Sequence, residues 1–323
     1  MILIVTNRED ITADFVVLEL KKRKEAFIRF NTEDFPEKVK VEAYFKKEKL
    51  QGQFMFVESN RTVPFSLIKS VWYRRPTLPI FKNIKPMYRK FCIQESVTLL
   101  NGIWGALDAF WLSKPKNIYF AENKVNQLVA ASRIGLLIPP TLISNDYDKI
   151  RSFFEKQSRD IIIKPIKNGM LDEKSIVFTN SVDSKDLASF RKSAPLPSTY
   201  QKNIKKELDI RLTVIGKKVF ATEIHSQDNK NAIIDWRRAQ DINLLHRKHK
   251  IPDDVKKKCV SLVRELGLQF GAIDMILSKN GKYYFLEINP NGQWGWIEKK
   301  TGYRLTEAIV DLLMKGDNKD GNI

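Results

Sequence analysis

The chain has 323 residues and a formal net charge of +18, with 43% hydrophobic and 29% charged residues. That is enough for two or three domains with the balance of a folded soluble protein. Two cysteines, Cys92 and Cys259, exclude a disulfide framework or a CxxC site, and the three histidines, His225, His246 and His249, exclude a zinc helix of HExxH type.

The opening MILIVTNRED carries too short an apolar run for a signal peptide. Residues 97–112 contain Asn101 and Asp108 and are too few to cross a bilayer. A cytoplasmic protein without a membrane partner is the expectation. The positive charge calls for an acidic partner. Its lysines are scattered, with no zinc finger, RNP motif or dense basic arm, so nucleic acid is not the expected partner. An acidic peptide and a merely solvated lysine-rich surface both remain open.

In chain order, residues 1–6 are bulky and β-branched and predict a buried strand. Residues 13–22 predict a helix and 26–31 a second strand, a βαβ opening that implies an α/β domain with a parallel sheet. Shorter strands are expected at 41–45, 54–57 and 71–75 ("VWYRR", stopped by Pro76), and 87–112 reads as largely helical. A second region starts near Asn117. It holds a helix at 122–136 closed by Gly135, a strand at 141–143, a helix at 146–156 and a strand at 160–165. A third region starts near Ser198 and contains two hairpins. The polar tail after Lys315 is expected to fray.

Asn280-Gly281 is the strongest hairpin signal in the chain. A two-residue turn there sets Asp274 opposite Glu287, and Asn289 shares their face. Ile276 and Phe285 continue that face toward the turn. The other face, Ile273, Met275 and Leu277 against Tyr284, Leu286 and Ile288, should be core. Opposed carboxylates repel. Either a nearby lysine pairs with one of them, or a hard divalent cation sits between them; the amide of Asn289 on the same face favours the cation.

Such a site usually serves a nucleotide, yet there is no GxxxxGK[ST] loop and no GxGxxG after the first strand. Lys164 ends the strand in "DIIIKPIKNG", where a buried ammonium needs an anion. A polar loop around Gly169 follows and could close over phosphates. Lys124 stands at the start of a helix, where the dipole does not favour a cation. In the second hairpin, "ELDIRLTVIGKKVFATEI", turning at Gly216-Lys217, Ile210, Leu212 and Val214 share the core face, and Asp209, Arg211 and Thr213 the other. Arg211 is either ion-paired or a fork for carboxylate or phosphate. "STYQKNI" upstream is extended and could offer backbone to a nucleobase. "DWRR" (Asp235, Arg237, Arg238) adds two forks. Trp294 and Trp296 either line a substrate cleft or pack in a core or lid.

Taken in order, Lys124, Lys164-Pro165 with its glycine loop, the extended residues 200–204, Asp209-Ile210-Arg211, Asp274 and Glu287-Ile288-Asn289-Pro290-Asn291-Gly292 resemble the ATP-grasp superfamily over residues 117–313. "VWYRRP", "ELDIRLTVIG", "DWRR", "GAIDMIL" and "FLEINPNGQWGWIE" more narrowly resemble its ribosomal-peptide maturases, the microviridin-type or graspetide macrocyclases. The resemblance implies an α/β (α+β) ATP-grasp fold: a pre-ATP-grasp domain at 1–115, a central subdomain at 116–197, a C-terminal subdomain at 198–318 and a tail at 319–323. It implies ATP and Mg2+ as cofactors, and an acidic precursor peptide with leader and core as partner; a homodimer is compatible with it. The implied chemistry is phosphorylation of an Asp or Glu side chain of the peptide and its condensation with a Ser or Thr hydroxyl or a Lys amine. By the same resemblance Lys124 and Lys164 contact phosphates, and the backbone of Gln201, Lys202, Asn203 and Ile204 holds adenine. Asp209 lies near ribose, and Asp274, Glu287 and Asn289 bind magnesium. Arg211, a catalytic residue with Lys164, clamps the carboxylate with help from Arg237 and Arg238. Lys202 departs from the acid that many relatives carry in the hinge. Another ATP-dependent carboxylate–amine ligase, adding amino acids to a protein or small acid, is the alternative. A non-catalytic basic nucleic-acid-binding protein is a third.

Overall fold

A computed structural model describes residues 1–167, 177–192, 196–238 and 244–316. The Gly169 loop and the tail at 319–323 lie outside them.

The chain opens as expected. Strand β1 (Ile2–Thr6) is buried along its length, α1 (Ile11–Lys22) crosses over, and β2 (Phe27–Asn31) pairs with β1 in parallel. An antiparallel sheet of β3 (Val39–Lys46), β4 (Lys49–Phe56) and β5 (Arg61–Pro64) is inserted next; its third strand was not anticipated. Strand β6 (Ser70–Tyr73) returns beside β1, and helix α2 (Pro86–Ala106) leads to the two-residue β7 (Phe110–Trp111), giving a parallel sheet of order β2-β1-β6-β7. The helix expected to reach residue 112 therefore stops at Ala106, and the last apolar residues of that run become strand.

The helix expected over 122–136 is α4 (Lys124–Ile134), and a separate helix, α3 (Pro115–Glu122), precedes it. Asn123 breaks them: its side-chain oxygen accepts from the backbone N–H groups of Val125 and Asn126, capping α4. Gly135, left-handed at φ 78°, closes it. Lys124 is thus the first residue of a helix.

The central layer holds β8 (Thr141–Ser144), α5 (Tyr147–Lys156), β9 (Ile161–Lys164), β10 (Asn180–Val182), α6 (Ser184–Lys192) and β11 (Ser198–Lys202). Its sheet runs β10-β9-β11-β8. Strand β11, placed by sequence at the start of the C-terminal subdomain, lies between β9 and β8.

The last layer is β12 (Lys206–Ile215), β13 (Lys218–Ile224), β14 (His246–Lys248), α7 (Asp253–Glu265), β15 (Phe270–Ser278), β16 (Tyr283–Asn289), α8 (Gly295–Thr301) and α9 (Leu305–Lys315), with sheet order β14-β13-β12-β15-β16. Ile210, Leu212 and Val214 face the main core, as alternation predicts.

The β15–β16 hairpin corrects one expectation. Its loop has three residues, since the Ser278 N–H bonds to Lys282 O and Gly281, at φ 75°, donates back to Ser278 O. Met275 therefore pairs with Phe285 and Ile276 with Tyr284, one residue out of the expected register. A bulge at Leu286 inserts the missing residue, and Asp274 faces Glu287 after all. Phe285 consequently lies in the core and Leu286 lines the cleft, the reverse of the alternating assignment, and Tyr284 joins Ile276 on the cleft side.

Candidate active site

A cleft opens between the central sheet and the C-terminal sheet. Lys164, Gln201 to Ile204, Asp209, Arg237, Asp274, Leu286 and Glu287 line it. The segment joining the two sheets, residues 201–204, is anchored from behind. The Lys202 N–H donates to Pro140 O (2.9 Å), the Asn203 N–H to Asp160 O (3.0 Å) and the Gln201 side chain to Thr141 Oγ1 (2.8 Å). The next N–H, that of Ile204, finds no partner among the described residues. Lys202 extends its side chain to solvent, so what it offers the cleft is backbone.

At the far end, Arg211 stands opposite Asp274 across β12 and β15, and its Nη1 donates to both carboxylate oxygens at 2.8 and 2.7 Å. Arg211 is therefore paired with Asp274, not with its strand neighbour Asp209. Asp209 is buried against Lys206 at 2.7 Å; burial pushes its carboxyl up and Lys206 pulls it back. Glu287 meets Lys124 at 3.1 Å and Arg237 at 3.7 Å. Burial alone would raise its pKa, but Lys124, Arg237 and Lys164 together hold it at about 2. Asp274 is pushed up by burial and by the charge of Glu287 against the pull of Arg211. Lys164 is itself buried, and burial lowers its pKa from 10.5 to about 8. No carboxylate of the described residues lies within ion-pair distance of it. Asn289 presents its side chain at the exposed end of β16, with its oxygen accepting from the Asn291 N–H at 2.9 Å.

Residues 1–119 match the MvdD pre-ATP grasp domain and residues 121–313 the RimK-like ATP-grasp domain. This chain belongs to the RimK-like ATP-grasp family. It is similar over 97% of its length to a RiPP-associated ATP-grasp ligase of Chryseobacterium gregarium, solved in complex with ADP and a leader and core peptide. The identity is 31%, the TM-score 0.89, and 96% of that chain is covered. The macrocyclase MdnC of Microcystis aeruginosa MRC, bound with precursor peptide MdnA, matches at 30% identity and TM-score 0.84 over 97% of this chain and 99% of that one. A probable alpha-L-glutamate ligase of Haemophilus influenzae (strain PittEE) is 23% identical over 73% of this chain and 78% of its own. The ATP-grasp architecture and the ligase class of this enzyme are thereby established.

The donor set of this ATP-grasp site suits magnesium: two carboxylates on facing strands with a neighbouring amide oxygen, all hard ligands. Lys124, Lys164, Arg211 and Arg237 surround the two acids, and with Asp235 offsetting Arg237 a small excess of positive charge remains, suited to a polyphosphate.

Of the two forks in "DWRR", Arg237 reaches the cleft and makes a two-pronged pair with Asp235 at 2.9 and 2.8 Å. That pairing offsets the cost of burying Asp235 and holds its carboxyl at about 2. Arg238 is committed elsewhere, to Thr179 O at 2.8 Å and the ring of Phe178. Trp294 is buried in the second core cluster, and Trp296 packs half-buried against Trp236 at 5.5 Å.

Two positions escaped sequence reasoning. Gln127, one turn beyond Lys124, donates to Ile288 O (2.8 Å) and accepts from Ile288 N (3.0 Å). It occupies the open edge of β16 as a further strand would, fixing Lys124 beside Glu287. Its spacing from Lys124 was the one available signal. Arg74, in "VWYRRP", is buried and reaches the loop after Asn289.

Proposed function

We propose that this enzyme closes side-chain rings in an acidic ribosomal precursor peptide. An Asp or Glu carboxylate of the peptide is phosphorylated at the expense of ATP, and a Ser or Thr hydroxyl, giving an ester, or a Lys amine, giving an amide, then displaces the phosphate. The observation that carries this is the convergence of Lys164, Asp274 and Glu287 on one cleft with residues 201–204, with Lys124 paired to Glu287 and Arg211 to Asp274. Similarity over nearly the whole chain to a peptide-bound ligase favours a peptide over a free amino acid as substrate. Bound Mg2+·ATP would supply the phosphoryl group that turns a carboxylate oxygen into a leaving group.

Asp274, Glu287 and Asn289 would hold the metal. Lys124 and Lys164 would neutralise phosphate oxygens, with Lys164 giving up an unfavourable burial for an anionic partner. The backbone of Gln201–Ile204 would take the adenine edge through the free N–H of Ile204, and Asp209 the ribose. Arg211 and Arg237 would orient the acceptor carboxylate through the guanidinium donors that their pairs with Asp274 and Asp235 leave over. Holding both reacting groups of one peptide in the cleft supplies a large proximity advantage. The formal charge of +18 would steer an Asp- and Glu-rich peptide toward the enzyme. The unpaired cysteines, one buried and one half-buried, fit a reducing cytoplasm, and no helix of the described residues is long and apolar enough to cross a membrane.

The glutamate-ligase relative keeps a second reading in play, the addition of free amino acids to an acceptor. Mass spectrometry separates the two. With ATP, Mg2+ and a candidate precursor, ring closure removes one water per ring, whereas amino-acid addition raises the mass. Loss of water abolished by Lys164→Ala and Glu287→Ala supports the macrocyclase; mass gain, or no ATP consumption at all, refutes it.

A further inference from the structure

The segment 289–292, where β16 ends and turns, lies beside Arg211. Asn289 begins it, and Gly292 lies so close to Arg211 that a Cβ there would fall 2.8 Å from Arg211 Nη2. What holds this loop comes from the other end of the chain. Arg74, immediately after β6, is 1% exposed. Its Nη1 donates to the carbonyls of Asn291 (3.4 Å) and Gly292 (3.3 Å). Its Nε pairs with Asp10 Oδ2 at 3.0 Å, and Thr6 Oγ1 donates to the same carboxylate at 2.9 Å. The guanidinium also sits against the rings of Trp72 (5.6 Å) and Trp294 (5.4 Å). Its own backbone N–H is pinned to Val5 O at 2.7 Å, in the middle of the parallel sheet.

A guanidinium buried this deeply is costly: burial lowers its pKa to about 10, and its Nη2 has no partner among the described residues. A well-packed apolar side chain would fill the same volume without that cost. An arginine, however, can join one carboxylate and two carbonyls in a single rigid plane. The two carbonyls belong to the loop that shapes the metal end of the site.

Resting on the activity proposed above, we infer that Arg74 is a positioning residue. It fixes residues 289–292 so that the Asn289 amide points to the metal and the Arg211 guanidinium keeps its place. Arg74 does not line the cleft and acts through the loop. The pre-ATP-grasp domain thereby sets the geometry of a metal site whose ligands all lie in the C-terminal sheet.

The test is the magnesium dependence of ADP binding, measured by titration calorimetry on the full chain. The Arg74→Lys change keeps the charge beside Asp10 but cannot span both carbonyls. Arg74→Lys should raise the magnesium concentration needed for half-maximal ADP binding about tenfold, while the weak ADP binding in EDTA changes less than twofold. A general loosening of the fold would weaken both. In a double-mutant cycle with Asn289→Ala the magnesium effects should be strongly non-additive. A folded Arg74→Lys protein with wild-type magnesium dependence overturns the proposal. If that variant does not fold, Trp72→Phe, which trims the stack and leaves the ion pair, should show the same shift at about threefold; an unchanged magnesium titration there overturns the proposal equally. Absence of magnesium-dependent ADP binding in the wild type would instead bring down the ATP-grasp site itself.

Discussion

Arg211 and Asp274 face each other on neighbouring strands, and a single guanidinium nitrogen bonds both carboxylate oxygens at 2.8 and 2.7 Å. Both side chains are largely buried, 8% and 15% exposed. The pair resolves a repulsion that Asp274 and Glu287 would otherwise exert on each other.

Removing the cation should therefore be expensive. Arg211→Met leaves Asp274 buried beside Glu287, and loss of one partner of a buried pair costs about 3 kcal/mol. Urea unfolding without nucleotide should show it, and the double variant Arg211→Met/Asp274→Asn should recover at least half. Full additivity of the two changes would mean that the pair contributes no coupling. Ring closure should be lost in both variants.

Lys164 makes a pH-dependent prediction. In the fold it titrates at about 8, against an ordinary value of 10.5. Between those values the unfolded chain holds the extra proton, so stability rises with pH across that window, and the cost of the buried charge is full below about pH 8. The drop from 10.5 to about 8 is worth about 3 kcal/mol. Lys164→Met should thus be more stable than wild type at pH 7, by up to about 3 kcal/mol less whatever Lys164 lends Glu287, and the gain should vanish near pH 10.5. The same variant should lose affinity for Mg2+·ADP. In wild type, ADP binding at pH 8.5 should take up a proton, seen as a binding heat that varies with the buffer's ionisation heat. Buffer-independent heat would place the phosphates away from Lys164.

Much of this site could be read from periodicity. Alternation along β12 separates Ile210, Leu212 and Val214 from Arg211, and Asn280-Gly281 locates the hairpin that brings Asp274 to Glu287. The second inference reached the right pair through two offsetting differences: a three-residue loop in place of two, and a bulge at Leu286. Nothing local announces that bulge. Its extra residue is tolerated because Phe285 gains a core position and Leu286 a cleft position. Gln127 and Arg74 were harder still. Gln127 completes a strand edge 161 residues away, and Arg74 reaches a loop 217 residues away. Contacts between such distant parts of the chain leave no repeating signal. The family likeness could supply roles for Lys124 and Lys164; it could not say that Arg238 turns toward Phe178.

The connection at 201–204 predicts which half of a hinge residue matters. Lys202 is exposed, and its N–H is already bound to Pro140 O. Replacing it with glutamate alters surface charge only, an effect of about 1 kcal/mol or less. Lys202→Glu should therefore keep Mg2+·ADP affinity within about fivefold. An ADP analogue whose adenine lacks the ring acceptor for the Ile204 N–H should bind about tenfold more weakly to wild type and variant alike. If Lys202→Glu binds far more weakly and the analogue does not, the side chain, and not the backbone, holds the base.

Gly292 predicts how little room the metal loop has. A methyl group there would lie 2.4 Å from the Cβ of Ala272 and 2.8 Å from Arg211 Nη2. One neighbour is a side chain rooted in β15, the other the guanidinium paired with Asp274, so neither can yield without moving the site. Gly292→Ala should cost about 2 kcal/mol in stability, as overpacking does, and reduce ring closure at least about tenfold because Arg211 is displaced. Ala272→Gly removes the nearer obstacle. Combined with Gly292→Ala it should restore most of the stability but little of the activity, since the clash with Arg211 persists. Thermal unfolding and peptide turnover on the three variants separate the two effects; activity that returns along with stability would show that the contact with Arg211 is not what the glycine protects.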